Sequence, residues 1–502
     1  MGSLGSKYEN EYNSVSCSMG SLGAGGAYET VEEVFVGNYQ GSLSLSNVTY
    51  TGVRGTGAVQ NAITLNCAAS TNCTNIRMSH VNITSWASGT HQVSANGTSS
   101  CTTPAVPCLH HDCLGLRYRE DEDFLLGIVY SKTTFDVVKF GAVGDGQTDD
   151  TEAFVKAWTA LCGAAAAGDD VPILIIPGRK TFLLQPLEFE GPCKSKSVHV
   201  QVSGNLMAPK TPDAWKVCPP YSWLSFRNVD NLILDGSGQI DGQGSAWWSK
   251  ALQFHRCDHL RLSGLTHINS PKSHIGIGTS NDVDISHLTI IAPDESPNTD
   301  GINVANSTFV YIHDSKIGTG DDCIALGTGA SNVRIAKIAC GPGHGISVGS
   351  LGADGAYAAV ENVYVRDCSF NGTQNGARIK TWPGGSGYAR NITFENITLT
   401  ATKNPIIIDQ QYCNGAHDCA NKAVLVSNVR FTDFRGTCGN EEAIKLDCNQ
   451  IWGCQNIELV KINITSTIPS KKVYASCNNA KGNSGSTVPT VSCLKYPTRL
   501  FI

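Results

Sequence analysis

Three aspartates and a histidine stand out because of their spacing. Asp300, Asp322 and His344 are 22 residues apart, and Asp321 directly precedes Asp322. Each of the three spaced residues sits two positions before an isoleucine that opens an apolar-x-apolar triplet: Ile302-Asn303-Val304, Ile324-Ala325-Leu326 and Ile346-Ser347-Val348. A fourth triplet, Ala377-Arg378-Ile379, is followed by Lys380. In a strand, alternation turns Ile379 to one face and both cations to the other. Carboxylates crowded together cannot all ionise, so one pKa rises and supplies an acid while another remains a base. An acid that protonates a leaving oxygen and a base that activates water are the equipment of glycoside hydrolysis. An imidazole beside them can tune or hydrogen-bond the acid, and Arg378 could grip a substrate carboxylate through paired hydrogen bonds. Plainer readings exist: an aspartate ladder bonding only turn backbone, an oxygen-rich Ca²⁺ site, or a simple salt bridge.

The same spacing defines the elements that must hold these groups. From about residue 225 an apolar-x-apolar triplet recurs, often after Asn: Leu232, Leu260, Val283, Val310, Val333, Val363, Ile392, Val429 and Ile457 open successive copies. The intervals run from 23 to 37 residues, the range of solenoid repeats. Alternation within each triplet is that of a strand with one buried face. A leucine-rich repeat is the rival, but its Leu/Asn ladder and helical stretch are missing. The expected fold is all-β, a parallel β-helix with equivalent residues of neighbouring coils about 4.8 Å apart. That ruler stacks Asp300, Asp322 and His344 at one edge of one sheet. The alanine-rich stretch 151–167 predicts a short helix capping the open end.

Composition agrees. Gly is abundant at 52 residues, Met scarce at 4, and charged residues make up 16%, which suits short strands and tight turns. A net charge of −6 gives no basic surface for nucleic acid, so a polyanionic substrate would need a local basic patch. Twenty cysteines without a zinc pattern indicate disulfides and an oxidising compartment. Sequons at Asn47, Asn72, Asn82, Asn96, Asn306, Asn371, Asn391, Asn396 and Asn463 point the same way. No apolar leader follows Met1, and the run Phe124–Val129 is too short to span a membrane.

The front of the chain repeats its end. Ser21-Leu22-Gly23 onward matches Ser350-Leu351-Gly352 onward at an offset of 329, and Ser46 to Ser85 matches Ser427 to Ser466 at 381. The change of offset removes 52 residues between the blocks. The expected organisation is a truncated duplicate of the C-terminal coils over 1–113, a connector over 114–134, the main domain over 135–495 and a tail over 496–502. Val15 falls where His344 belongs, so the copy holds no second active site. A copy docked on the solenoid and a fusion of two adjacent genes are the explanations considered, the latter preferred.

Asn298-Thr299-Asp300, Gly320-Asp321-Asp322, Gly343-His344-Gly345 and Arg378-Ile379-Lys380, in that order, resemble the four signatures of plant polygalacturonases, glycoside hydrolase family 28. Each tripeptide is weak alone; the set is specific. The resemblance covers residues 134–495, and 17–85 resemble the family's C-terminal part. It implies a right-handed β-helix that hydrolyses α-1,4 links of homogalacturonan with inversion, without metal or cofactor. It implies Asp321 as general acid, Asp300 and Asp322 holding and activating water, and His344 supporting the acid. Arg378 and Lys380 would bind the galacturonate carboxylate with help from Asn298. Tyr412 resembles the family's substrate-contacting tyrosine, a buried core tyrosine being the plainer reading. Disulfides Cys323–Cys340, Cys448–Cys454 and Cys477–Cys493 are implied as well. A secreted cell-wall monomer acting on pectic polysaccharide is expected, with neither membrane nor nucleic acid as partner. An inactive pectin-binding β-helix, a Ca²⁺-dependent pectate lyase and a hydrolase of rhamnogalacturonan are the alternatives; endo or exo attack stays open.

Overall fold

The computed structural model describes residues 133–165, 170–211, 222–244, 250–412 and 423–494, together with the backbone of short strands between 34 and 98. Most of the connector, the tail and Val15 lie outside the described residues, as do Cys413 and Cys419, whose close spacing in sequence also suggests a disulfide. The chain divides into two units, Met1–Ile128 and Val129–Ile502.

The larger unit is a right-handed parallel β-helix. Strands stack into an 11-stranded sheet and a 21-stranded one, all paired in parallel. The triplets seen in sequence lie in one register: Val283, Val310, Val333, Val363, Ile392, Val429 and Ile457 face one another coil after coil. The second series does the same in the 11-stranded sheet, through Ile275, Ile302, Ile324, Ile346, Ala377, Ile406 and Ile444. Inward residues are buried, and like stacks on like: Phe189, Phe226 and Phe254 are in register with ring centroids 4.6 and 5.5 Å apart. One position before Val333, Val363, Ile392, Val429 and Ile457 the strand bends at an asparagine with positive φ: Asn332, Asn362, Asn391, Asn428 and Asn456. Their amides form a ladder, each Nδ2 donating to the previous Oδ1 at 2.9–3.1 Å. This ladder runs along the larger sheet and joins side chain to side chain, away from Asp300 and Asp322.

The predicted helix forms over Thr151–Gly163 and buries Phe154, Ala157, Trp158 and Leu161. Trp158 packs edge-on against Phe189 and Phe226, at 5.2 and 5.8 Å. Its Nε1 donates to Glu190 O at 3.1 Å. The helix thus covers Phe189, which lies on the first strand of the 11-stranded sheet with no earlier strand beside it. A disulfide not anticipated from sequence, Cys162–Cys193, ties its last turn down. The three implied disulfides are also present.

In the smaller unit, parallel pairings Thr49↔Arg77 and Arg54↔Asn82 repeat, 381 residues earlier, the pairings Arg430↔Glu458 and Arg435↔Asn463.

Candidate active site

The 11-stranded sheet carries the site on its outward face. Its strands Ile302–Ala305, Ile324–Leu326 and Ile346–Leu351 are in register. The backbone ladder continues ahead of the strands: Gly301 N donates to Asp322 O at 2.9 Å, and His344 N to Asp321 O at 2.7 Å. Asp300, Asp322 and His344 therefore occupy equivalent places on three successive coils.

The surrounding motif residues explain why the chain can pass this way. Thr299 is buried and its Oγ1 accepts from Gly320 N at 3.0 Å, joining the coil of Asp300 to that of Asp321. A Cβ on Gly320 would sit 2.1 Å from Ser296 O, and one on Gly345 would sit 2.2 Å from Asn375 O. Gly345 also has φ +87, a conformation that side chains disfavour. The glycines of the second and third motifs are thus backbone requirements that set the acidic and imidazole groups in place.

Asp321 and His344 form one pair. His344 Nδ1 lies 2.9 Å from Asp321 Oδ1, and the His344 N–H donates to Asp321 O at 2.7 Å. The Asp322 N–H also donates to Asp321 Oδ1, at 2.8 Å. Burial works to raise the Asp321 pKa, but the hydrogen bond and charge of His344, with the charge of Lys380, hold it below the ordinary value.

Asp322 forms a second group with the cations of the next coil. It is almost wholly buried at 1% exposure. Arg378 Nη2 donates to its Oδ1 at 2.5 Å, Ser347 Oγ to the same oxygen at 2.8 Å, and Lys380 Nζ to Oδ2 at 2.9 Å. Arg378 Nε also donates to Ser347 Oγ at 2.7 Å. Arg378 and Lys380 do face outward, yet they are 9% and 8% exposed because they lie down on Asp322. Ser347 escaped the sequence reading, although its place between Ile346 and Val348 already turned it outward beside Arg378.

Asp300 differs from both. Burial first, and then the charges of Asp321 and Asp322, push its pKa up to about 7, with Lys380 pulling back only in part. Three aspartates in one cluster thus have three environments, with Asp300 raised and Asp321 lowered.

Asn298 is exposed and left-handed at φ 57, at the tip of the turn before Asp300. Tyr412 is half-buried rather than in the core. Its ring lies 5.4 Å from Lys380 Nζ and 5.2 Å from Trp382, which brings it to the site. Trp382 was not singled out from sequence.

The profile of glycosyl hydrolases family 28 matches residues 27–103 and 169–493. The chain belongs to this family. A probable polygalacturonase of Arabidopsis thaliana is 49% identical over 390 residues, 75% of this chain and 84% of that protein. A polygalacturonase of Malus domestica is 41% identical over 367 residues, 69% of this chain and 76% of that one. Among solved structures, the endo-xylogalacturonan hydrolase from Aspergillus tubingensis superposes with a TM-score of 0.60 at 25% identity, over 71% of this chain and 100% of that chain. The family 28 chain is accordingly a glycoside hydrolase.

Ligand atoms of Asp321, Asp322 and His344 lie within 4.8 Å of one another, close enough to hold a cation. Both Asp322 oxygens, however, already accept from an arginine, a lysine and a hydroxyl. Two fixed positive charges at that point oppose a divalent ion.

Proposed function

We propose that this chain is a polygalacturonase, hydrolysing α-1,4 bonds between galacturonates of homogalacturonan by single displacement with inversion. The observation that carries the reading is the stack of Asp300, Asp321, Asp322 and His344 beside a buried Arg378–Lys380 pair, on the outward face of one sheet. Asp321, fed by its contact with His344, delivers a proton to the glycosidic oxygen as the C1–O bond breaks. Water attacks C1 from the opposite side; Asp322 orients it and Asp300 takes its proton. A base with a pKa near 7 is a stronger acceptor than an ordinary carboxylate. Arg378, Lys380 and Tyr412 surround the uronate, and Asn298 reaches it from the adjacent turn. The raised pKa of Asp300 favours a second reading, in which Asp300 holds the proton and Asp321 acts as base.

Reducing ends released from polygalacturonate by the wild type, and lost with folded Asp321→Asn, are the expected result. Binding without release, or a Ca²⁺-dependent unsaturated product absorbing in the ultraviolet, would overturn the proposal.

The setting proposed is the cell wall, outside the cell, with the enzyme acting as a monomer; four disulfides among the described residues suit an oxidising compartment. No helix among those residues is long and apolar enough to cross a membrane. Residues 1–113 are proposed to be a non-catalytic truncated duplicate, supported by the separate family match at 27–103 and the repeated strand register.

A further inference from the structure

The outward face of the 11-stranded sheet continues past the reacting groups. In the column that holds Arg378 the register runs Arg378↔Ile407↔Lys445, so Lys445 stands two coils on, about 9.6 Å along the solenoid. Its side chain is 37% exposed, with Nζ 3.7 Å from an Asp447 carboxylate oxygen. Asp409 and Asp447 are also in register. The loop after Asp447 therefore leaves the sheet at the same edge as the one carrying Tyr412. The two loops are bonded together: Gln410 N donates to Asp447 O at 2.9 Å, and Asn449 N to Gln410 Oε1 at 3.1 Å.

That later loop is closed by Cys448–Cys454 and presents Ile451 and Trp452 at 56% and 57% exposure. It is not loose. The Ile451 and Trp452 N–H groups both donate to Asn449 Oδ1, at 2.9 and 3.4 Å. A tryptophan held in water on a braced loop forgoes its hydrophobic gain unless something covers it. On the loop one coil earlier an aromatic ring already accompanies a cation, with the Lys380 ammonium 5.4 Å from the Tyr412 ring. Lysine offers a compact positive charge that suits a single carboxylate.

We propose that Lys445 and Trp452 form an outer uronate subsite on the C-terminal side of the cleft, the ammonium meeting the sugar carboxylate and the indole stacking on the apolar face of the pyranose ring. The occupant is a further galacturonate of the same chain, which rests on the substrate class proposed above. A polyanion with one carboxylate on each ring meets cations on the coils of Arg378 and Lys445, with Tyr412 and Trp452 on the loops that leave the same sheet edge. The subsite adds affinity for long chains without touching the bond that breaks.

The test compares Trp452→Ala and Lys445→Gln with the wild type on the shortest oligogalacturonate cleaved and on an octamer. For the octamer each variant should raise KM roughly fivefold or more with kcat unchanged, while the short oligomer keeps its wild-type KM. Trp452→Phe should recover most of the loss. Calorimetric titration of the octamer into Asp321→Asn, with and without Trp452→Ala, should show the same weakening without turnover. Unchanged octamer KM and affinity in both variants would overturn the subsite, as would equal losses on both lengths. A wild type that releases no reducing ends sinks the substrate class instead, and the titration still reads the subsite.

Discussion

Asp300→Asn should stabilise this protein while abolishing its turnover, and only above a definite pH. The variant keeps the shape of the side chain and removes its capacity to ionise. Asp300 is displaced from 3.8 to about 7 in the folded chain, roughly three pH units at about 1.4 kcal/mol each. Water in the open cleft screens part of this, so about 2–4 kcal/mol is the working range. The raised folded pKa means that the proton favours the folded state. That contribution is complete below the unfolded value of 3.8 and is lost as pH rises to about 7. At pH 4 the wild-type carboxyl is already neutral when folded, and the two proteins should melt together. At pH 8 the wild type carries a crowded charge that the variant lacks, and the variant should melt a few degrees higher. Thermal unfolding of both proteins at several pH values between 4 and 8 measures the difference. A gap that stays constant across that range would refute the account of why Asp300 is set apart.

The remaining predictions concern the same cluster and its frame. In the pH–rate profile, activity lost as pH falls through about 7 marks Asp300 as the base, and activity lost as pH rises through it marks Asp300 as the acid. An oligogalacturonide with a p-nitrophenyl leaving group gives an independent reading: activity is spared when the acid is replaced by Asn, and not when the base is. Arg378→Ala should cost about 3 kcal/mol of stability, seen as a lowered denaturation midpoint, because Asp322 stays buried with half its cationic support gone. Replacing Cys323 and Cys340 by Ser opens a 17-residue loop beside Asp322 and should cost about 3 kcal/mol, measured as a shorter half-life of activity on heating. Mass spectrometry of secreted protein should find glycan at exposed Asn371 or Asn463 rather than at Asn391, whose amide is shared with Asn362 and Asn428 on either side.

The fold and the placement of the site were legible because a solenoid makes sequence distance into spatial distance. With one coil per 22 residues, Asp300, Asp322 and His344 had to stack once Ile302, Ile324 and Ile346 were recognised as equivalent. The helix was visible in its alanines, and its packing followed from the need to cover Phe189 and Phe226. What sequence withheld was what side chains do after the backbone has placed them. Alternation turned Arg378 and Lys380 outward, but their reach back to Asp322, 56 and 58 residues earlier, depends on the rotamers they adopt. Cys162 and Cys193 carry no spacing signal, since only the docking of the helix brings them together.

The different environments of the three aspartates follow from the same docking of side chains. Asp322 is surrounded by two cations and a hydroxyl, Asp321 is held by one imidazole and one amide, and Asp300 faces mainly the negative charge of the other two. Moving one cation would redistribute the roles without changing any acidic residue. The basic pair holds Asp322 through both of its carboxylate oxygens. The charges of Asp321 and Asp322 are part of what raises Asp300, and Lys380 opposes them. Arg378 should therefore be felt in two ways when removed: weaker binding of the uronate, and a shift of the pH limb that belongs to Asp300. A loss of binding with that limb unmoved would mean that burial alone sets Asp300 apart.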